Sequence, residues 1–197
     1  LRVNDSYRLI IKKIGFDRAV LKDAFRIGLP SGLQSMMYGI SNLLIQGGIN
    51  SFGTQTMAAW SAYSKVDALF WMVINAFGIS VTTFASQNYG ARKMDRVRKS
   101  VRTAYLMAMG TALTLSAIVY VLAEPFLRVF NPSDEALRTG VMMIREITPL
   151  YFCYVSIEIL SGALRGMGES FVPMIITVMG ICALRIAWLY GAFPLNP

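Results

Sequence analysis

The residues that could do chemistry are the ionisable side chains that interrupt long apolar runs: Lys65 and Asp67, Arg145 and Glu146, Glu158, and Arg185. Holding one such group at the centre of a membrane helix costs about 2.5–3.5 kcal/mol on insertion scales. A carboxylate kept at that cost can bind a proton or a metal cation, so Asp67 and Glu158 are the candidates for ion coupling. Lys65 and Asp67 stand two residues apart. They point in different directions on a helix and need partners on other helices. Arg145 and Glu146 fall near the outer end of their run, where they can reach the interface. Lys65 and Arg185 are expected to be buried cations, with Glu158 or Asp67 as the counter-ion of Arg185. A structural ion pair and a transport role both stay open for these groups.

Other chemistries find no footing. The chain has no histidine, which removes the commonest general base and metal ligand. It carries no phosphate-binding loop, metal-ligand spacing or nucleophile motif. The Gly166-x-Gly168 pair follows a helical pattern rather than a strand, so it is not a dinucleotide fingerprint. Cys153 and Cys182 lie inside apolar runs and read as packing residues. No enzyme activity, cofactor or metal is expected.

Polar residues recur at helical spacing within three of the apolar runs. The first has Gln34, Tyr38, Asn42 and Gln46; the second Ser64, Asp67, Trp71, Asn75, Gly78 and Thr82; the third Tyr151, Tyr154, Glu158, Ser161 and Arg165. Residues three or four apart share a helix face. Faces of this kind avoid lipid, so they line a water-accessible cavity or bind helices to one another. On the cavity reading Gln34, Tyr38, Asn42, Trp71, Asn75, Tyr151 and Tyr154 contact a substrate. Tyr38, Trp71, Tyr151 and Tyr154 offer aromatic faces to an organic cation.

The elements that must position these residues are membrane helices. The 197-residue chain is 55% apolar and only 15% charged, against about 25% charged in soluble domains. Five spans are predicted at about 27–49, 58–86, 101–123, 141–164 and 171–193, each able to cross a core of about 30 Å at 1.5 Å per residue. The class is an all-α polytopic membrane protein. Lys and Arg alternate sides: seven in 1–26, six in 87–102 and Arg165 on one side, with only Arg128 and Arg138 on the other. The side with fourteen is cytoplasmic by the positive-inside rule. This banding, and not a nucleic-acid partner, accounts for the net charge of +8. Residues 1–26 read as a cytoplasmic amphipathic linker and 194–197 as an extracytoplasmic end. Five spans leave the two ends on opposite sides, so a sixth helix is expected beyond Pro197, and the chain reads as a fragment. Gly28 and Pro30 are expected to open the first span. Pro149 should kink the fourth. Ser133 or Asp134 should cap a short helix, Gly78 and Gly162 should permit close helix approach, and the chain should turn at Gly90.

Three segments together resemble the multidrug and toxic-compound extrusion (MATE) transporters. They are Ile27-Gly28-Leu29-Pro30 opening a span; Gln87-Asn88-Tyr89-Gly90-Ala91 with its basic tail through Arg96; and Leu164-Arg165-Gly166-Met167-Gly168-Glu169-Ser170 with Pro173. Their order resembles the second half of such a protein, helices seven to eleven. The resemblance implies two six-helix lobes around a V-shaped cleft and export of organic, often cationic, compounds from the cell across its plasma membrane, in exchange for Na⁺ or H⁺. It implies a bilayer, a small-molecule substrate and a first lobe as partners. Some members carry coupling acids in helices seven and ten. Here Gln34 and Tyr38 occupy the helix-seven face, Tyr154 falls near the helix-ten position, and Glu158 lies one turn nearer the cytoplasm. A flippase for lipid-linked saccharides, with Lys65, Arg145 and Arg185 lining a cationic cavity, and an inactive truncated bundle remain the alternatives.

Overall fold

The computed structural model describes residues 15, 17–130, 132–187 and 191. Among these it is helical throughout, with no strand. The first helix, α1 (Arg18–Asn50), starts where Asp17 accepts from the backbone N–H groups of Ala19 (2.7 Å) and Val20 (3.4 Å). That cap lies well upstream of the expected start at residue 27. Part of the presumed linker is therefore helix, and Pro30 sits in the helix interior rather than opening it. The remainder of the linker, residues 1–14 and 16, lies outside the described residues, as do residues 194–197.

Gly53, with φ +93°, admits the chain into α2 (Thr54–Gly90). At 1.5 Å per residue its 37 residues span about 55 Å, well beyond a hydrocarbon core. The turn that follows is not made at Gly90, which is the last helical residue. Arg92 takes the left-handed conformation, φ 57°. The Lys93 N–H bonds the Asn88 carbonyl (2.9 Å) and the Arg92 N–H that of Tyr89 (2.9 Å), the paired 6→1 and 5→2 bonds of a Schellman cap. The chain returns in α3 (Met94–Val121), followed by the short α4 (Ala123–Arg128).

Ser133 caps α5 (Asp134–Ile147), accepting from the Ala136 N–H at 3.3 Å, with Asp134 and Glu135 at its positive end. The helix it caps leads into the fourth span, as expected. At Pro149 the chain tightens into one 3₁₀ turn, Thr148–Leu150, and continues as α6 (Tyr151–Gly166). The expected kink is this turn, a few residues beyond Arg145–Glu146. The Leu-Arg-Gly-Met-Gly-Glu stretch is a second Schellman cap, with Gly168 at φ +87° and bonds from Glu169 N–H to the Leu164 carbonyl and Gly168 N–H to that of Arg165. Glu169 then accepts from the Phe171 and Val172 N–H groups and starts α7 (Phe171–Thr177). A π-helical segment, Val178–Ala183, leads into α8 (Leu184–Ala187).

Among the described residues three helices are long and apolar enough to cross a membrane: Thr54–Gly90, Met94–Val121 and Asp134–Gly166. Helix α1 is long enough but not among them, because Gln34, Ser35, Ser41, Asn42 and Gln46 dilute its hydropathy. Phe171–Ala187 is apolar and shorter; the residues expected to extend it lie mostly outside the described set. Helices α2 and α6 run parallel and share the core: Phe70, Ile74 and Val81 interlock with Tyr151, Val155, Ile159 and Ala163, and Ala108 and Ala112 of α3 close the cluster. Leu69, Ile79, Leu106, Leu113 and Leu160 remain exposed on the outer faces, as apolar side chains in contact with lipid tails must. The two helices approach closely at Gly166, where a Cβ would stand 2.5 Å from the Thr82 carbonyl oxygen, and at Gly162. A Cβ built at Gly162 would stand 2.9 Å from the Gly78 carbonyl oxygen and 3.1 Å from the Thr82 hydroxyl and Val81.

Candidate functional site between two parallel helices

Because α2 and α6 run parallel, their polar stripes meet rung by rung. Tyr63 and Asp67 face Tyr151, Trp71 faces Tyr154, Gly78 faces Glu158, and Thr82 faces Gly162. The Asp67 carboxylate, half-buried, accepts from the Trp71 indole N–H at 2.7 Å on one oxygen and from the Tyr151 hydroxyl on the other. The Tyr151 hydroxyl also lies 3.1 Å from that of Tyr63, and both tyrosines are buried. No cation stands within salt-bridge distance of Asp67 among the described residues.

Glu158 is held differently. Tyr154 donates to one of its oxygens (3.2 Å), and Arg165, two turns on along the same helix, donates to the other (3.1 Å). Its carboxylate lies against Gly78, where a Cβ would collide with it. A glycine at 78 is thus what admits the acid between the helices. The Tyr154 ring meets Trp71 edge-on with centroids 4.0 Å apart. Beside this pair opens a cavity of about 180 Å³ lined by Ala68, Trp71, Met72, Asn75, Tyr154 and Glu158. Aromatic faces and a carboxylate together suit a small organic cation.

The sequence candidates divide accordingly. Trp71, Asn75, Tyr154 and Glu158 line the cavity; Asp67 and Tyr151 lie one turn beyond it. Tyr38 of α1 lies beside Tyr154 and Glu158. Gln34 and Asn42 bind helices instead: Gln34, buried, donates to the Thr177 hydroxyl at 2.8 Å, and Asn42 accepts from Arg185 at 2.9 Å. Lys65 and Arg185, expected as buried cations with Glu158 or Asp67 as the counter-ion of Arg185, form no ion pair among the described residues. Both are exposed. Lys65 lies over the Phe130 ring, 4.9 Å from its centroid, and Arg185 bonds an amide. Each cation thus sits beside a neutral partner.

Gln87, Asn88, Tyr89, Gly90 and Ala91 form the end of α2 rather than a binding loop. Asn88 donates to the Phe84 carbonyl and supplies the carbonyl that caps the helix. Two contributors escaped the sequence reading. Tyr63 lies one turn before Asp67, so the i, i+4 rule that marked Trp71 also reached it. Arg165 had been placed on the polar face of its span, but not identified as the partner of Glu158. Among the described residues no three His, Cys, Asp or Glu side chains gather to hold a metal.

The family model described as MatE matches residues 30–190. The probable multidrug resistance protein YoeA of Bacillus subtilis is 21% identical over 91% of this chain and 39% of its own length. The probable multidrug resistance protein NorM of Thermotoga maritima is 22% identical over 84% of this chain and 36% of its length. The chain therefore spans about two-fifths of these relatives. A crystal structure of a MATE protein in complex with MaL6 superimposes with a TM-score of 0.81 at 20% identity, covering 92% of this chain and 42% of that one, which establishes the shared fold.

Proposed function

We infer function from one premise: the chain belongs to the MatE family. From it we propose that these helices form the C-terminal lobe of a secondary antiporter in the cell membrane. It would export drugs and other xenobiotics, organic cations among them, in exchange for Na⁺ or H⁺, with its partner lobe in the part of such transporters that this chain does not span. The observation that carries the proposal is the cavity between α2 and α6, where Trp71 and Tyr154 stand beside Glu158 and one turn from Asp67.

The two acids differ in what they can exchange. Glu158 is engaged by Arg165, so removing its charge strands a cation. Asp67 is held by neutral donors and can take up a cation without breaking an ion pair. Asp67 is therefore the coupling carboxylate, and Glu158 faces the substrate. The fourteen Lys and Arg of one side support a cytoplasmic side for the 91–93 and 167–170 turns. A saccharide-phosphate flippase is disfavoured, because Lys65, Arg145 and Arg185 do not line the cavity. In the complete coding sequence that carries this chain, Asp67→Asn and Glu158→Gln should each abolish gradient-driven ethidium efflux at unchanged expression. Wild-type efflux in both would sink the assignment.

A further inference from the structure

We propose that Arg165 competes with the substrate for Glu158, and that this competition keeps the cavity's preference for cations over neutral aromatic molecules small. This rests on the reading that Glu158 faces the substrate. Glu158 lines the cavity beside Trp71 and Tyr154. Its Oε1 holds the Arg165 guanidinium at 3.1 Å, and its Oε2 accepts from the Tyr154 hydroxyl at 3.2 Å. An organic cation entering the cavity therefore meets a carboxylate whose charge is already balanced. Among the described residues Arg165 is the one cation in contact with a carboxylate of this seam: Lys65 lies over Phe130, and Arg185 bonds Asn42.

A bracing role explains the pair poorly. Both residues belong to α6, so their bond ties no two helices together. Seven residues apart, they share a face but are separated by about 10.5 Å of helical rise. Both side chains must lean along the helix to meet, which costs rotamer freedom. Helix ion pairs ordinarily stand three or four apart, as Glu124 and Arg128 do. Glu158 does not need the arginine to place it, because Gly78 of α2 leaves the space its carboxylate fills. Arg165 also has an alternative position. It stands in the last turn of α6 with its side chain 23% exposed, where the free carbonyls of the helix end favour a cation.

A ligand against Trp71 and Tyr154 makes the same ring contacts whether charged or neutral, apart from the attraction of a cation to the ring faces. Only a charged ligand feels Glu158 and, with the opposite sign, Arg165. Removing Arg165 should thus act on cations selectively. Asp67 is held by Trp71 and Tyr151, and substitutions on α6 at 158 or 165 leave those bonds in place.

The test measures binding to the complete transporter in detergent by equilibrium dialysis, at about pH 8, where carboxyl groups are ordinarily ionised. The probes are ethidium and its uncharged parent, the diamino-phenylphenanthridine that lacks the N-ethyl group. Wild type should prefer ethidium by less than about tenfold, or about 1.4 kcal/mol. Arg165→Gln should tighten ethidium by about tenfold and leave the neutral parent unchanged, while Arg165→Lys, which keeps the charge, should stay near wild type. A brace would instead weaken both ligands together at an unchanged ratio. An unchanged ratio in Arg165→Gln overturns the proposal. So does a wild-type preference above about a hundredfold, a measurement that stands even if Arg165→Gln accumulates poorly. Glu158→Gln separates the two levels of the reading. If it leaves ethidium binding intact, Glu158 does not face the substrate and both fail. If it weakens ethidium while Arg165→Gln leaves the ratio unmoved, the competition alone fails.

Discussion

Replacing Gly162 by alanine should weaken the protein, although alanine is the better helix former. Two effects oppose each other. In a helix interior Gly→Ala is worth about 0.8–1.0 kcal/mol in propensity. Against that, the new methyl would lie 2.9 Å from the Gly78 carbonyl and 3.1 Å from both Thr82 Oγ1 and Val81 Cγ1, tighter than van der Waals contact. Two of these neighbours cannot move away cheaply. The carbonyl is backbone, and Thr82 lies 2.8 and 2.9 Å from the Gly78 and Gly162 carbonyls. Overpacking of this kind costs about 1–3 kcal/mol, so the net is a loss of about 1 kcal/mol. Gly110→Ala supplies the comparison: Gly110 lies inside α3, and a Cβ there meets nothing within 4 Å. It should gain nearly the full propensity term. The two variants should thus differ by about 2 kcal/mol with opposite signs, or several degrees in melting temperature for a protein of this size. Differential scanning fluorimetry in one detergent measures both. A stabilised Gly162→Ala matching Gly110→Ala would refute the tight seam and, with it, the rung-by-rung pairing of α2 and α6.

Two further substitutions follow from the polar contacts. Thr177→Val removes the hydroxyl that accepts from the buried Gln34 amide and should cost about 1–3 kcal/mol; Thr177→Ser should restore most of it in the same melting assay. Arg92→Gly relieves a left-handed non-glycine residue, which costs about 1–2 kcal/mol, and after the entropy glycine loses on folding should raise stability by up to about 1 kcal/mol. A melting temperature lowered by Arg92→Gly would mean that the arginine side chain is held by something beyond its backbone geometry.

How much of this was legible beforehand follows from the range of the forces involved. Helical period put Asp67, Trp71 and Asn75 on one face, and Tyr151, Tyr154 and Glu158 on another, because a membrane helix must hide polar groups. Glycines 78 and 162 could be marked as sites of close approach because a missing side chain is visible in the sequence. Partners could not be assigned. Nothing local tells Arg185 to seek Asn42 rather than Glu158; the choice depends on how α8 is set against α1. Boundaries failed where a cap outweighed hydropathy: Asp17 starts α1 ahead of its apolar run, leaving Pro30 inside. The turn after α2 was ascribed to Gly90 because glycine is the usual left-handed residue, whereas the Schellman bonds fall two residues later, on Arg92.

The π-helical segment Val178–Ala183 acts as a phase correction. On an α-helix, residues eight apart are about 80° apart around the axis. On that geometry Thr177 and Arg185 would point in distinctly different directions. A π turn absorbs about one extra residue, about 100° of rotation, and brings the two back to within about 20° of each other. Gln34 and Asn42, on a parallel helix, then find both. A chain shorter by one residue in this stretch would be a more regular helix, with its two anchors seven apart and still within about 20° of each other. The π turn thus lets this stretch carry one residue more than a regular helix needs between its two anchors, so losing one residue here should keep the interface, whereas gaining one should turn the second anchor by about 100°.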